Sequence, residues 1–297
     1  MRRQRYQPPR RLMRVHRTGF FVYIIHMSDI PVLFSLENVG FRYEEGDKPV
    51  FDNFSIDLPE GIISFVGQNG AGKSTLLLLA GARLLPQTGR VMVYGNDSKT
   101  LTTDEDRNEL VSFIYQNLEF DTEEPVGALL DYIYENGFHE KKDGGFLKDV
   151  KTAFELNDVL NKKTQELSKG GLQRTIMAFS LLYGSKAIMM DEPIFALEDH
   201  QKQKAMGFMT EYARGNRMPL YYSAHELEIT NNYSDFMLLL FSEGGYILGP
   251  TAEVATDANL ERAFGIPRSM MYQKEKLHRQ HLKDFQEHIV EDNAPFN

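Results

Sequence analysis

Short apolar runs closed by glycine- or proline-rich turns alternate along this chain with longer stretches whose apolar residues recur every three or four positions. From Pro31 the pattern predicts strands. Leu33-Phe34-Ser35-Leu36-Glu37-Asn38-Val39 and Phe41-Arg42-Tyr43 lead into the turn-forming Glu44-Glu45-Gly46-Asp47. Phe54, Ile56 and Leu58 alternate with Ser55 and Asp57, the period of a strand with one buried face. Ile62-Ile63-Ser64-Phe65-Val66 is an apolar run broken only by Ser64, as in a strand covered on both sides. A helix is expected from Lys73 to Leu85, stopped by Pro86. Arg90–Gly95 and Val111–Tyr115 read as further strands.

Residues 117–166 change character. Val126 to Tyr134 and Phe146 to Leu156 read as helices, with Gly144-Gly145 separating them, and Phe146, Val150 and Phe154 share one face of the second. A helix over Leu172–Tyr183 then ends at Gly184, and strands Ala187–Met190 and Leu220–Ala224 follow. Phe236–Phe241 and Tyr246–Leu248 flank Ser242-Glu243-Gly244-Gly245 as a hairpin. Strands that alternate with helices imply a largely parallel sheet with helices on its faces. The expected fold class is α/β, with a flanking antiparallel β layer and an inserted helical subdomain at about 117–166.

Both ends differ in composition from the middle. Residues 1–28 carry seven Arg and no acidic residue, whereas the whole chain has 33 Lys and Arg against 42 Asp and Glu. The stretch is read as a disordered basic extension ahead of a domain over 29–267, with Met27 as a natural start. Residues 268–297 read as a charged, helical tail. There His278, His281 and His288 share a face with Leu282, Phe285 and Ile289, a stripe more typical of packing than of metal binding. The acidic body argues against nucleic acid as a partner. With no cysteine, disulfides, thiolate metal sites and Cys nucleophiles are excluded. No apolar run approaches the roughly 20 residues needed to cross a bilayer.

The chemistry centres on Gly67-Gln68-Asn69-Gly70-Ala71-Gly72-Lys73-Ser74-Thr75, which fits the phosphate-loop pattern G-x-x-x-x-G-K-[ST]. The glycines let backbone N–H groups curl around an anion. Lys73 adds a charge for the β- and γ-phosphates, and the Ser74 hydroxyl suits Mg²⁺. The following helix directs its positive dipole end at the same phosphates. Asp191-Glu192 closes an apolar strand, where a carboxylate lies beside the phosphate loop of an α/β sheet. Asp191 is placed to hold Mg²⁺, and Glu192 to orient or deprotonate the attacking water. Leu167-Ser168-Lys169-Gly170-Gly171 forms a second cradle. Ser168 caps a helix whose first turn is freed by two glycines. One nucleotide does not need two cradles from one chain, so the second is assigned to a nucleotide held by another subunit.

In order and spacing, residues 33–266 resemble the ATP-binding cassette (ABC) ATPases. The resemblance implies that Tyr43 stacks on adenine and that 67–75 is the Walker A loop. Gln116 occupies the Q-loop, which senses Mg²⁺ and the membrane partner. Residues 167–171 stand at the signature, Ala187–Glu192 at Walker B with the catalytic Glu, and His225 at the switch histidine. The implied assembly is a head-to-tail dimer that hydrolyses ATP on the cytoplasmic face of the membrane and drives a permease carried on a separate chain. Lys169 and Gly171 depart from the signature, and Ile194-Phe195-Ala196-Leu197-Glu198 departs from the family's D-loop. Gly249–Val254 and Ala258–Ile266 look like the end of importer cassettes for iron chelates and cobalamin. An exporter ATPase and a soluble non-transport cassette are the alternatives. A GTPase is disfavoured, because Asn161-Lys162-Lys163-Thr164 lacks the base-reading Asp.

Overall fold

The computed structural model describes residues 12–15, 21–24, 30–116, 118, 120–267 and 270. The histidine stripe expected at 278–289 lies outside them. Strands β1 (Leu12–Val15) and β2 (Phe21–Ile24) pair antiparallel. Next come β3 (Val32–Phe41), β4 (Phe51–Pro59), β5 (Ile62–Val66) and helix α1 (Lys73–Ala80). After β6 (Thr88–Val93) and the two-residue β7 (Asn96–Asp97), helix α2 (Asp104–Leu110) leads into β8 (Val111–Ile114). Helices α3 (Val126–Asn136), α4 (Gly144–Ala153) and α5 (Lys169–Leu182) form the helical region. The rest is β9 (Ala187–Met190), α6 (Asp199–Asn216), β10 (Leu220–Ser223), α7 (Leu227–Tyr233), β11 (Phe236–Leu240), β12 (Tyr246–Pro250), α8 (Thr251–Val254) and α9 (Asp257–Phe264).

Two sheets carry these strands. One has the order β1-β2-β12-β11-β5-β10-β9-β8, and the other β4-β3-β6-β7. Within the first, β11, β5, β10, β9 and β8 are mutually parallel, each neighbour reached through a crossover. The second is antiparallel throughout. This is the α/β fold with a flanking antiparallel layer that the pattern predicts.

The continuous apolar run of β5 follows from its position. Successive side chains of a strand point to opposite faces. Ile63 and Phe65 pack into a cluster with α1 and the antiparallel layer, whereas Ile62 packs into one with α3 to α6. Both faces are therefore dry, and no polar alternation survives.

Four local expectations are corrected. Helix α1 ends at Ala80 rather than Leu85. Gly81 lies against Phe113 and Met189, and Ala82 takes φ 54°, which ends the helix before Pro86 is reached. Gly144-Gly145 does not separate two helices but opens α4, because the Asp143 side chain accepts a hydrogen bond from the Gly145 N–H at 2.8 Å. Helix α6, with buried Ala205, Met206, Met209 and Ala213, was not expected at all. Finally, residues 12–15 and 21–24, read as part of a disordered extension, are strands, and β2 runs parallel to β12 with Val22 opposite Tyr246. The run Phe20-Phe21-Val22-Tyr23-Ile24-Ile25 has high strand propensity, and β12 would otherwise present an unpaired edge.

Candidate functional site

The loop between β5 and α1 wraps around the Lys73 side chain. Its Nζ donates to the carbonyl oxygens of Gly67 at 2.9 Å and Gln68 at 3.0 Å. Gly67, at φ 152°, passes so close to β11 that a Cβ there would sit 2.6 Å from the Leu240 carbonyl oxygen. Gly72 caps α1 in the left-handed conformation, at φ 94°. Asn69 and Gly70 are exposed at the tip, Ser74 is half-buried and Thr75 is buried. The Tyr43 hydroxyl and Thr75 Oγ1 share a hydrogen bond of 3.2 Å. The Tyr43 ring stands edge-on to Phe41 and remains 43% exposed at the rim of the loop. Burial pushes the Lys73 ammonium down from its ordinary pKa, and the nearby charges of Glu192 and Asp191 oppose that.

The acid pair sits at the C-terminal end of β9. Asp191 is buried, and its N–H donates to the Ile114 carbonyl of β8 at 2.9 Å. Glu192 has φ 49°, a left-handed backbone that costs a residue with a side chain about 1–2 kcal/mol. Its carboxylate is held on both oxygens. Gln116 Nε2 donates to Oε2 at 2.9 Å, and His225 Nε2 lies 2.6 Å from Oε1. The hydrogen bond from His225 is the largest influence on the Glu192 carboxyl and holds it below the usual glutamate range, against the opposing effect of burial. Four predicted residues from four separate segments, Lys73, Gln116, Glu192 and His225, thus meet at one end of the parallel sheet, beside Asp191.

Two groups here escaped the sequence reading. Ser223, the last residue of β10, is fully buried, and its Oγ donates to Asp191 Oδ1 at 2.6 Å while accepting the Glu192 N–H at 2.8 Å. Lys202 of α6 is buried and pairs with Glu226, next to His225, at 2.7 Å. Ser223, ending a strand after two tyrosines, carried no signal of its own in the sequence.

The second cradle is formed locally. Ser168 Oγ accepts the Gly171 N–H at 3.1 Å, capping α5. Gly170 abuts residues 194–198, where a Cβ would lie 2.9 Å from the Ala196 carbonyl oxygen. Among the described residues, no hydrogen bond joins Ser168, Gly170 or Gly171 to the loop at 67–75.

A phosphate loop on a parallel sheet, with a strand-end acid pair beside it, defines a nucleoside triphosphate hydrolase. The chain belongs to the ABC transporter family, whose profile matches residues 51–195. It is 30% identical over 210 residues to a Pyrococcus furiosus protein named as an ABC transporter ATP-binding protein, PF0068, covering 70% of this chain and 80% of that one. It is 28% identical over 239 residues to the manganese transport system ATP-binding protein MntB of Bacillus subtilis, covering 77% and 91%. Among solved structures, a transporter described as of the metal-chelate type, in an inward-facing conformation, superposes with a TM-score of 0.62 at 23% identity, over 80% of this chain and 90% of that one. The dimeric cassette MJ0796 bound to ADP and Pi superposes with a TM-score of 0.64 at 20% identity, over 73% and 98%. Both likenesses establish the fold. The chain is the ATP-binding, ATP-hydrolysing component of a transporter, and no described helix is long and apolar enough to cross a membrane.

Proposed function

We propose that this ATPase powers the import of metal chelates through a permease on a separate chain, working as a head-to-tail homodimer on the cytoplasmic face of the membrane. The observation that carries the dimer is the separation of the two phosphate cradles. Ser168, Gly170 and Gly171 make a complete N-terminal anion cradle on α5 that shares no hydrogen bond with the loop at 67–75. Set against a second copy, that cradle would face the γ-phosphate held by the partner's loop. Tyr43 would stack on adenine, and Gly67, Asn69, Gly70, Gly72, Lys73, Ser74 and Thr75 would wrap the phosphates. Glu192 would orient the attacking water, with His225 holding it in place.

No group of three or more His, Cys, Asp or Glu able to hold a metal exists among the described residues. Ser74, Gln116 and the buried Asp191 instead supply hard oxygen donors, which fits a Mg²⁺ ion shared with phosphate oxygens. Such an ion neutralises the phosphate charge. Lys73 is the protein's own cation at that point, and its charge already acts on Glu192.

The import reading rests on the resemblance of Gly249–Val254 and Ala258–Ile266 to chelate importers, and on a manganese transport protein among the relatives. An exporter ATPase is the second reading, favoured by Lys169 in the signature. The test is affinity capture of the tagged chain from detergent-solubilised membranes. A polytopic permease should come with it, and the purified complex in lipid vesicles should hydrolyse ATP faster when a solute-binding protein loaded with a metal chelate is added. Lys73→Ala should remove nearly all of that activity. Capture with no permease would overturn the transport assembly, and stimulation by a lipophilic export substrate instead would overturn import.

A further inference from the structure

We infer that Ser223 is a positioning residue for hydrolysis, a single buried hydroxyl that sets both the carboxylate meant for Mg²⁺ and the backbone of the glutamate meant for water. The inference rests on the roles proposed above for Asp191 and Glu192.

The parallel register makes the contact obligatory. Tyr222 of β10 lies opposite Met190 of β9, so the next residue on each strand, Ser223 and Asp191, meet at the sheet's C-terminal end. There the Ser223 hydroxyl uses both of its capacities. It donates to Asp191 Oδ1 at 2.6 Å and accepts from the Glu192 N–H at 2.8 Å. The serine is completely buried and Asp191 nearly so, so bulk water does not replace the bond between them.

Each bond has its own consequence. The bond to Asp191 is charge-assisted and short. It fixes the rotation of the carboxylate and commits Oδ1, so that Asp191 would offer the ion one set orientation. The bond from the Glu192 N–H holds a residue whose φ of 49° is unfavourable for a side-chain-bearing backbone. That conformation turns the Glu192 side chain away from the strand direction, toward Gln116 and His225. Without the hydroxyl, a buried carboxylate oxygen and a part-buried N–H would both lose their partner, and the turn that aims Glu192 would lose its anchor. One hydroxyl therefore couples the metal side of the site to the water side.

The test uses Mn²⁺ as a paramagnetic substitute for Mg²⁺, read by electron paramagnetic resonance with ATP present, alongside metal-free binding of a fluorescent ATP analogue. Ser223→Ala and Ser223→Cys should each weaken Mn²⁺ binding about tenfold and lower kcat by at least as much. Metal-free nucleotide binding should stay at the parental level, a split that general loss of structure would not produce. The Cys variant fills the site with a slightly larger, weak donor in place of the strong one, so it decides the matter even where the Ala variant does not accumulate. Parental Mn²⁺ affinity in the Cys variant overturns the inference. Asp191→Asn and Glu192→Gln are measured in parallel. If Asp191→Asn leaves Mn²⁺ affinity and Glu192→Gln leaves kcat unchanged, the proposed site roles fail. If both fall while the Ser223 variants match the parent, only the positioning role fails.

Discussion

Glu192 shows how one residue is shaped by its neighbours. Its left-handed backbone is anchored by Ser223, and its two carboxylate oxygens are taken by Gln116 and His225. A carboxylate held below the usual range is a weak base, which favours, for the role proposed for Glu192, orienting water over removing its proton. The pH consequence has a definite sign. The folded carboxyl titrates lower than the unfolded one. The stability it contributes is therefore present above the unfolded pKa and is lost as pH falls through the folded value. The acid limb of the ATPase pH profile should accordingly lie below the ordinary glutamate range. His225→Ala removes the largest cause of that depression, so the limb should move upward while neutral-pH turnover falls by at least about tenfold. A limb that stays in place would mean that His225 does not set the ionisation of Glu192.

At the scale of elements, the start of α5 and the segment 194–198 act as one unit. Gly170 leaves no room for a side chain beside the Ala196 carbonyl. Gly170→Ala should push these two segments apart and lower ATPase activity about tenfold or more, with ATP affinity of the isolated chain unchanged, since the clash is with Ala196 and not with the loop at 67–75. Equilibrium nucleotide binding and turnover on the same sample separate the two effects. The same scale shows what was legible in the sequence. Strands β5 and β9 were readable because both faces are buried, so their runs are apolar but for Ser64. Lys73 and Glu192 were readable because phosphate chemistry fixes a loop and an acid at strand ends, whereas His225 was reached only through the family resemblance. Helix α6 was not, because its buried stripe mixes Lys202 and Thr210 with Ala and Met, and the Lys202 charge is neutralised by Glu226, a partner 24 residues away. Ser223 was illegible for the same reason. Its meaning depends on Asp191, which only the pairing of β10 with β9 brings near. The strands at 12–15 and 21–24 depended likewise on the edge of β12, which the local sequence does not reveal.

At the scale of the whole molecule, the proposed dimer turns on the two cradles. The isolated chain should be mostly monomeric, because each half-site lacks its complement until nucleotide fills the gap. Glu192→Gln keeps a hydrogen-bonding side chain between Gln116 and His225 and should bind ATP while hydrolysing it slowly. Each trapped γ-phosphate would bridge Lys73 and His225 of one copy to Ser168 and Gly170 of the other. The contacts that Ser168 and Gly170 would add to a bound nucleotide exist only in the closed form, so bound ATP shifts the population toward it by that difference in affinity. Sedimentation of Glu192→Gln with millimolar ATP should therefore show a dimer that disappears when ATP is removed. Ser168→Arg in the same background should keep the protein monomeric, because the arginine would fill the cradle of α5 without touching the loop that binds ATP. A Glu192→Gln protein that stays monomeric would remove the main support for the trans site. The explanation would then lie in residues 194–198. Phe195 is 43% exposed there, and the Glu198 N–H is tied to Gln201 Oε1 at 3.3 Å in the first turn of α6. A bulky aromatic and a longer acid at that point would hold two copies apart before their phosphates could bridge them, and Phe195→Ser would be expected to restore the ATP-dependent dimer.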